Sequence, residues 1–339
     1  MDMNTAWFFL IGFFITGYAI LDGFDLGVGV LHILTRDPHE RRINVNAIGP
    51  VWDGNEVWLL AGGGSLFAVF PVVYATLLSA FYLPFILLLV SLIFRAVSLE
   101  FRNKVSSAGW QYFWDLSFGS GSLTASLLFG VMLGNLLQGM PIGKDGVFTG
   151  HFRSQLNLYP ILIGLLTLTT FVMHGGIYMT LKTEGKLLER MRMHIFTSWI
   201  AFVILYSIVA VRTYFIAPFL FKDLLTTPFS WVAGTVLIVA TFYIPLAVKQ
   251  EKYLHAFLAS SVTMACMILI TGLGLFPLLV PSSIDPAYSL TLYNASAGPR
   301  TLTAMLGIAL ISLPLIISYT VYIHRVFRGK VVISEESHY

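Results

Sequence analysis

Long apolar runs that few charges interrupt are the feature that most constrains this chain. Of its 339 residues, 57% are hydrophobic and 11% are charged, whereas a soluble domain is about 25% charged. So few charges could not cover the surface of a soluble globule, which excludes a cytosolic enzyme, a nucleic-acid binder and a disordered chain. About 20 apolar residues in a helix cross a bilayer. The sequence therefore predicts an all-α polytopic membrane protein.

Nine segments are long and apolar enough to be transmembrane helices. The apolar character of the second segment is the weakest, because it contains Asp53, Glu56 and the glycines at 62–64. If this segment is re-entrant, the number of spans falls to eight. The predicted spans cover about 6–31, 51–70, 73–97, 111–139, 156–181, 195–217, 229–248, 255–280 and 301–325.

The distribution of basic residues predicts the orientation. If the N-terminus lies outside, only five of the 20 Lys and Arg residues fall in outer loops, namely Lys144, Arg153, Arg212, Lys222 and Arg300. The other fifteen, including Arg95, Arg102 and Lys104, are then assigned to the cytoplasmic side, as the positive-inside rule requires. This split favours nine spans, with the N-terminus outside and the C-terminus cytoplasmic.

The loops between the spans are short, so the sequence indicates one integral membrane domain over 1–339. The stretch 281–300 is rich in Pro, Ser and Asn and has turn chemistry at Asp285-Pro286. We expect it to form an ordered cap over the outer face. Residues 328–339 are predicted to be a cytoplasmic tail.

Two pairs of acids lie within predicted spans, where ionisable groups are costly and usually functional. Asp22 and Asp25 share one helix face with Tyr18, Gly29 and His32, since the steps between them are three or four residues. The glycine on that face would let a neighbouring helix approach closely.

The second pair, Asp53 and Glu56, also shares a face and falls in the same cytoplasmic half of the membrane, as does Asp115. Two explanations remain open for these acids. They either handle protons, which we favour for Asp25 and Asp53, or pair with Arg95 or Arg102 and merely fix helix packing.

Histidine and cysteine usage limits the metal and cofactor chemistry. His174 is the one histidine well inside a span, so no pair at matched depth is available for a bis-His haem. We expect His174 to be a core residue and keep it as the one candidate for cofactor binding. The single cysteine, Cys266, excludes an internal disulfide and a Cys-rich metal site, and the sequence shows no other metal site.

Several runs in order along the chain, among them LDGFD at 21–25 and GPVWDGNEVWL at 49–59, resemble subunit II of the cytochrome bd quinol oxidases. These two motifs are the most specific, whereas residues 155–255 match only in character. Position 56 departs from the pattern, because some members carry Gln where this chain has Glu56. The matching runs are ITGYAILDGFDLGVGVL (15–31), ERRINVNAIGPVWDGNEVWLLAGGGSLFAVFPVVYATLLSAFY (40–82), FRAVSLEFRNK (94–104), GNLLQG (134–139), GLFPLLVPSS (274–283) and SLTLYNAS (289–296).

The resemblance implies a fold of two four-helix bundles plus one peripheral helix, in a prokaryotic cytoplasmic membrane. It implies a partner, subunit I, that holds two b-type haems and one haem d, oxidises quinol and reduces O2 to water. No catalytic residue would then lie in this chain. Carried over through the two motifs, Asp25 and Asp53 would form a cytoplasmic proton path supported by Asp22, with Glu56 beside them. The family also admits a small single-span accessory subunit.

Two other functions fit the same acids and glycine-broken helices. A proton- or ion-coupled secondary transporter would place a substrate site at the midplane of the membrane and would work without haem. A purely structural membrane subunit would use its acids only to hold helices together.

Overall fold

The chain is almost entirely helical in a computed structural model that describes residues 2–222 and 224–332. Three of the described α-helices begin at a side-chain cap, and at the first of them the Asp2 carboxylate accepts a hydrogen bond from the Thr5 amide (2.8 Å). The α-helices of the described residues are α1 Met3–Leu34, α2 Pro38–Ile48, α3 Trp52–Val69, α4 Pro71–Ala80, α5 Tyr82–Phe101, α6 Ala108–Gln138, α7 Leu158–Lys182, α8 Gly185–Ile216, α9 Pro228–Lys249, α10 Tyr253–Leu275 and α11 Pro299–Val326.

Eight of these helices are long and apolar enough to cross a membrane, and a bent pair, α3 with α4, brings the number to nine if it counts as one span. The all-α polytopic prediction is confirmed. The third predicted span, 73–97, is wrong in its boundary, because its first part is the separate helix α4 and the long helix α5 begins only at Tyr82.

The bend between α3 and α4 measures 115° and lies at Phe70-Pro71. Proline disfavours the helical conformation in the residue before it, and Phe70 is indeed non-helical. Contacts from another loop hold α4 in place, since the Thr76 hydroxyl donates to the Gly146 carbonyl (2.8 Å) and the Gln155 amide donates to the Ala80 carbonyl (2.6 Å).

The long helices associate in two groups with one helix outside them. In the first group α1 contacts α3 and α6, and α5 packs on α6; in the second, α7 contacts α8 and α10, and α9 packs on α10. The groups meet where α7 lies against α1 and α6, and α11 packs mainly on α3. This arrangement agrees with two bundles and a peripheral helix, and it leaves α11 the least buried of the long helices.

The loops assigned to the outer side contact one another. Residues of the predicted cap 281–300 join a small antiparallel pair, β1 Leu278–Val280 with β2 Leu290–Thr291. The Met140 amide donates to the Pro281 carbonyl (2.8 Å), and the Ala297 amide donates to the Val69 carbonyl (2.7 Å). This segment is therefore fastened to the ends of α3 and α6, and its role as a cap over the outer face stays a prediction.

The loops assigned to the inner side form a second group. Arg192 pairs with Glu251 (3.1 Å), and the Lys330 ammonium donates to the carbonyls of Thr180 (2.9 Å) and Thr183 (2.7 Å). The start of α1 lies with the first group, since the Trp7 indole donates to the Leu302 carbonyl (3.2 Å), and Lys330 lies with the second; chain ends in different loop groups are what an odd number of spans requires. The orientation itself stays a prediction, and the tail 328–339 lies outside the described residues beyond 332.

Candidate proton-handling site

The first helix carries Asp22 and Asp25 into the centre of the protein, where both side chains are fully buried. Glycines allow its close packing. A Cβ on Gly27 would lie 1.9 Å from the Phe171 carbonyl oxygen of α7, and one on Gly29 would lie 2.0 Å from the Ser122 hydroxyl of α6. The predicted role of Gly29 in close helix approach is thus confirmed.

Arg95 of α5 connects the two predicted pairs of acids. Its guanidinium is fully buried and donates to both carboxylate oxygens of Asp22, at 2.7 and 2.8 Å. Its other terminal nitrogen pairs with Glu56 of α3. The assignment of Arg95 to the inner loops is therefore wrong, because a charge paired with two carboxylates can lie within the bundle. The alternative that this arginine pairs with the acids holds for Asp22 and Glu56.

Asp25 differs from Asp22 because no cation is bonded to it. One of its oxygens accepts a hydrogen bond from the Asn55 side chain (2.7 Å), and the other has no hydrogen-bond partner among the described residues. A buried carboxylate without a bonded cation is costly, and taking up a proton removes that cost. Asp25 therefore has the surroundings of a group that can gain and lose a proton.

Asp53 and Glu56 lie one turn apart on α3 and differ in exposure. Asp53 is in the first turn of the helix and is exposed, with no hydrogen bond among the described residues. The Glu56 side chain is 19% exposed and reaches Arg95. The structure thus brings Asp22 and Glu56 together, places Asp25 one turn away on α1, and leaves Asp53 at the solvent end.

The cluster holds three buried or half-buried carboxyl groups, Asp22, Asp25 and Glu56, around one guanidinium. If every acid were ionised, it would carry two uncompensated negative charges in a membrane interior. Such charges are avoided by binding protons. The arrangement can therefore store protons close to an exposed acid.

Asp115 belongs to a different cluster nearer the end of the bundle. It accepts hydrogen bonds from His32 (2.8 Å) and Arg41 (3.0 Å), and it pairs with Arg102. These contacts join α1, α2 and the turn after α5 to α6. A carboxylate with two arginines is held in its charged form, so the packing role considered for Asp115 accounts for its surroundings.

His174 is fully buried, and both of its ring nitrogens have protein partners. Nδ1 is 2.7 Å from the Ser260 hydroxyl, Nε2 is 2.9 Å from the Ile20 carbonyl, and the ring stacks on Phe257. An iron ligand needs a free ring nitrogen. His174 therefore does not fit a haem. Within residues 2–222 and 224–332, no group of three or more His, Cys, Asp or Glu side chains could hold a metal ion.

Two residues of the site were not selected from the sequence as site residues. From the sequence, Arg95 is only a possible partner of the acids, and Asn55 is only one position of the GPVWDGNEVWL motif. The signals existed, since Arg95 lies inside an apolar run and Asn55 is flanked by two acids. Their importance depends on how α1, α3 and α5 pack, which one-helix periodicity does not show.

A family model described as cytochrome bd terminal oxidase subunit II matches residues 3–327. The chain belongs to this family. Among curated proteins, it is similar to "Cytochrome bd ubiquinol oxidase subunit 2" of Bacillus subtilis, with 36% identity covering 97% of each chain. It is also similar to "Cytochrome bd-I ubiquinol oxidase subunit 2" of Escherichia coli, with 33% identity covering 97% of this chain and 95% of the relative.

A solved structure supports the fold of this subunit II chain. A chain of the bd oxidase from Geobacillus thermodenitrificans matches it with a TM-score of 0.80 and 17% identity. The match covers 96% of this chain and 99% of the other. Membership in the bd oxidase family confirms the resemblance inferred from the LDGFD and GPVWDGNEVWL motifs.

Proposed function

We propose that this chain is subunit II of a terminal quinol oxidase in a prokaryotic cytoplasmic membrane, and that it supplies a proton path from the inner face. Family membership supports the first part, since the Bacillus subtilis and Escherichia coli relatives are named as ubiquinol oxidase subunits. The transporter alternative is not favoured by these relatives.

The complex contains a subunit I partner, and the haems belong to that partner in our proposal. Two b-type haems and one haem d would carry electrons from quinol to O2. The hydrogen bonds on both nitrogens of His174 support this, because they leave that residue no nitrogen for an iron. The protein and quinone composition of the purified complex determines whether it contains a single-span accessory subunit and whether it uses ubiquinol or menaquinol.

The observation that carries the proton path is the unbalanced cluster of Asp22, Asp25, Glu56 and Arg95. Exposed Asp53 takes up a proton at the inner end of α3, and Glu56 lies one turn deeper beside the buried acids. Arg95 donates to both carboxylate oxygens of Asp22 and holds it in place. Asp25, whose second oxygen is free of protein partners among the described residues, is the acid that exchanges the proton.

Purified complexes carrying Asp25→Asn test both parts of the proposal. The wild-type complex should show haem bands in a reduced-minus-oxidised spectrum and quinol-dependent O2 uptake. Asp25→Asn should keep the spectrum and slow turnover by about tenfold at least, because loss of a proton-transfer group usually costs about a hundredfold or more. Asp145→Asn, an exposed acid in the outer loop, is the matched control and should keep full activity.

Each part of the proposal has its own contradicting result. An active but colourless preparation would contradict the oxidase assignment. Full turnover of Asp25→Asn would contradict the path. Loss of the whole complex in Asp25→Asn, with Asp145→Asn intact, would favour the structural alternative.

A further inference from the structure

A cavity of about 340 Å³ opens on the side of the outer loops, and none of the acids of the proton path lines it. It lies between the end of α6, the short helical turn Phe152–Gln155, the end of α8 and the loop at Ser283. Part of it is built from the GNLLQG motif at 134–139, which the proposed function leaves unexplained. Its volume is in the range of small-molecule sites.

Gln155 lines this cavity and carries an unused hydrogen-bond acceptor. The residue is 3% exposed, and its side-chain nitrogen donates to the Ala80 carbonyl (2.6 Å). Its side-chain oxygen accepts no hydrogen bond from the described residues. Because the nitrogen is committed to Ala80, the oxygen is the atom left for a ligand, and a buried acceptor without a donor is costly.

The walls restrict the ligand to a neutral molecule. The described residues that line the cavity include no Lys, Arg, His, Asp or Glu. Met140, Phe148 and Ile216 provide apolar surface, while the hydroxyls of Ser154 and Ser283 are at its exposed edge. A charged headgroup would lose its hydration here without gaining a counter-charge.

We propose that this cavity binds the neutral, hydroxyl-bearing head of a membrane amphiphile. The ligand hydroxyl donates to the Gln155 side-chain oxygen and accepts from the Ser283 hydroxyl, because the Ser154 hydroxyl already donates to the His151 carbonyl (2.6 Å). The apolar part of the ligand lies against Met140 and Ile216. The ends of α6 and α8 place the cavity at the depth of the membrane interface, where such heads are found. A hydroxylated ring and a glycerol-type lipid head share this chemistry.

Equilibrium binding to the purified complex in phosphatidylcholine nanodiscs tests the proposal. The two radiolabelled probes are 5-decylresorcinol, a hydroxylated ring, and 1-decanoylglycerol, a glycerol head. Gln155→Leu removes the acceptor, and Ser283→Trp fills the mouth of the cavity without touching Gln155. Gln250→Leu, an exposed glutamine at the opposite loop group, is the matched control. If a probe binds the wild type and does not bind Ser283→Trp, its site is this cavity and not a site on the partner subunit.

We expect one saturable site that Ser283→Trp abolishes, that Gln155→Leu weakens about tenfold, and that Gln250→Leu leaves unchanged. Binding of the resorcinol alone identifies a ring-type ligand, and binding of the glycerol ester alone identifies a lipid head; both support the proposal. If neither probe shows a site sensitive to Ser283→Trp, the cavity holds only water and the proposal is overturned. Should Gln155→Leu fail to assemble, Ser283→Trp decides the outcome alone.

Discussion

Arg95 divides the buried acids of this protein into two kinds. Asp22 and Glu56 are bonded to its guanidinium, and Asp115 is bonded to two other arginines. Asp25 has only the neutral Asn55 amide. Since acids of both kinds lie in membrane helices, the bonded partner indicates which acid maintains packing and which can exchange a proton.

Asp22→Ala should destabilise the complex strongly, because Arg95 then keeps only Glu56 as a partner. Removing one partner of a buried ion pair costs about 3–5 kcal/mol. Asp2→Ala, which removes the exposed cap of α1, should cost about 1 kcal/mol. Thermal unfolding of the purified complex, followed by circular dichroism, measures both. Equal effects of the two substitutions would show that the Arg95 pair contributes no special stability.

The shared face of Asp22 and Asp25 could be predicted from the sequence because it depends on helical periodicity alone. The partners of these acids could not. Asn55 reaches Asp25 only because α3 lies against α1, and Arg95 reaches Asp22 only because α5 ends on the same side. Side-chain pairing across helices is set by packing, which a single sequence does not specify.

At the scale of helices, the contact between α1 and α7 depends on two facing glycines. A Cβ on Gly27 would meet the Phe171 carbonyl, and one on Gly175 would lie 2.6 Å from the Val28 amide nitrogen. The two backbones therefore pack directly against each other, as small residues permit in membrane helices. This contact joins the two bundles next to Asp25.

Gly27→Ala should therefore separate α1 from α7 and destabilise the chain by about 1–3 kcal/mol, the usual cost of overpacking. Gly234→Ala in α9 is the control, because its added Cβ would meet nothing within 4 Å. The melting temperatures of the two purified variants can be compared directly. A Gly27→Ala protein as stable as Gly234→Ala would disprove the tight contact.

The break after α4 shows where the helix prediction failed. The predicted span 51–70 ends close to the end of α3 at Val69, but the apolar run 73–97 continues through the second break at Phe81 without a proline. Two hydrogen bonds hold the short helix, one donated by Thr76 to the Gly146 carbonyl and one donated by Gln155 to the Ala80 carbonyl. Both partners lie more than 60 residues away in the sequence, so local patterns could not reveal them.

At the scale of the whole molecule, counting basic residues predicted the alternation of the loops, and the two loop groups agree with it. The orientation can be tested by labelling with a membrane-impermeant maleimide in intact cells. In a Cys266→Ala background, Lys144→Cys should be labelled from outside and Lys104→Cys only after lysis. Both residues are exposed in the structure. Labelling of Lys104→Cys in intact cells would reverse the orientation.

The central claim is that protons pass from the inner face through Asp25 to the oxygen-reducing partner. Membrane voltage during a single reaction of the reduced complex with O2, in oriented proteoliposomes, tests it most directly. In Asp25→Asn the voltage phase caused by proton uptake should slow about tenfold or more, while the optical signal of haem oxidation that precedes it keeps the wild-type rate. A voltage phase of wild-type rate in Asp25→Asn would contradict the account.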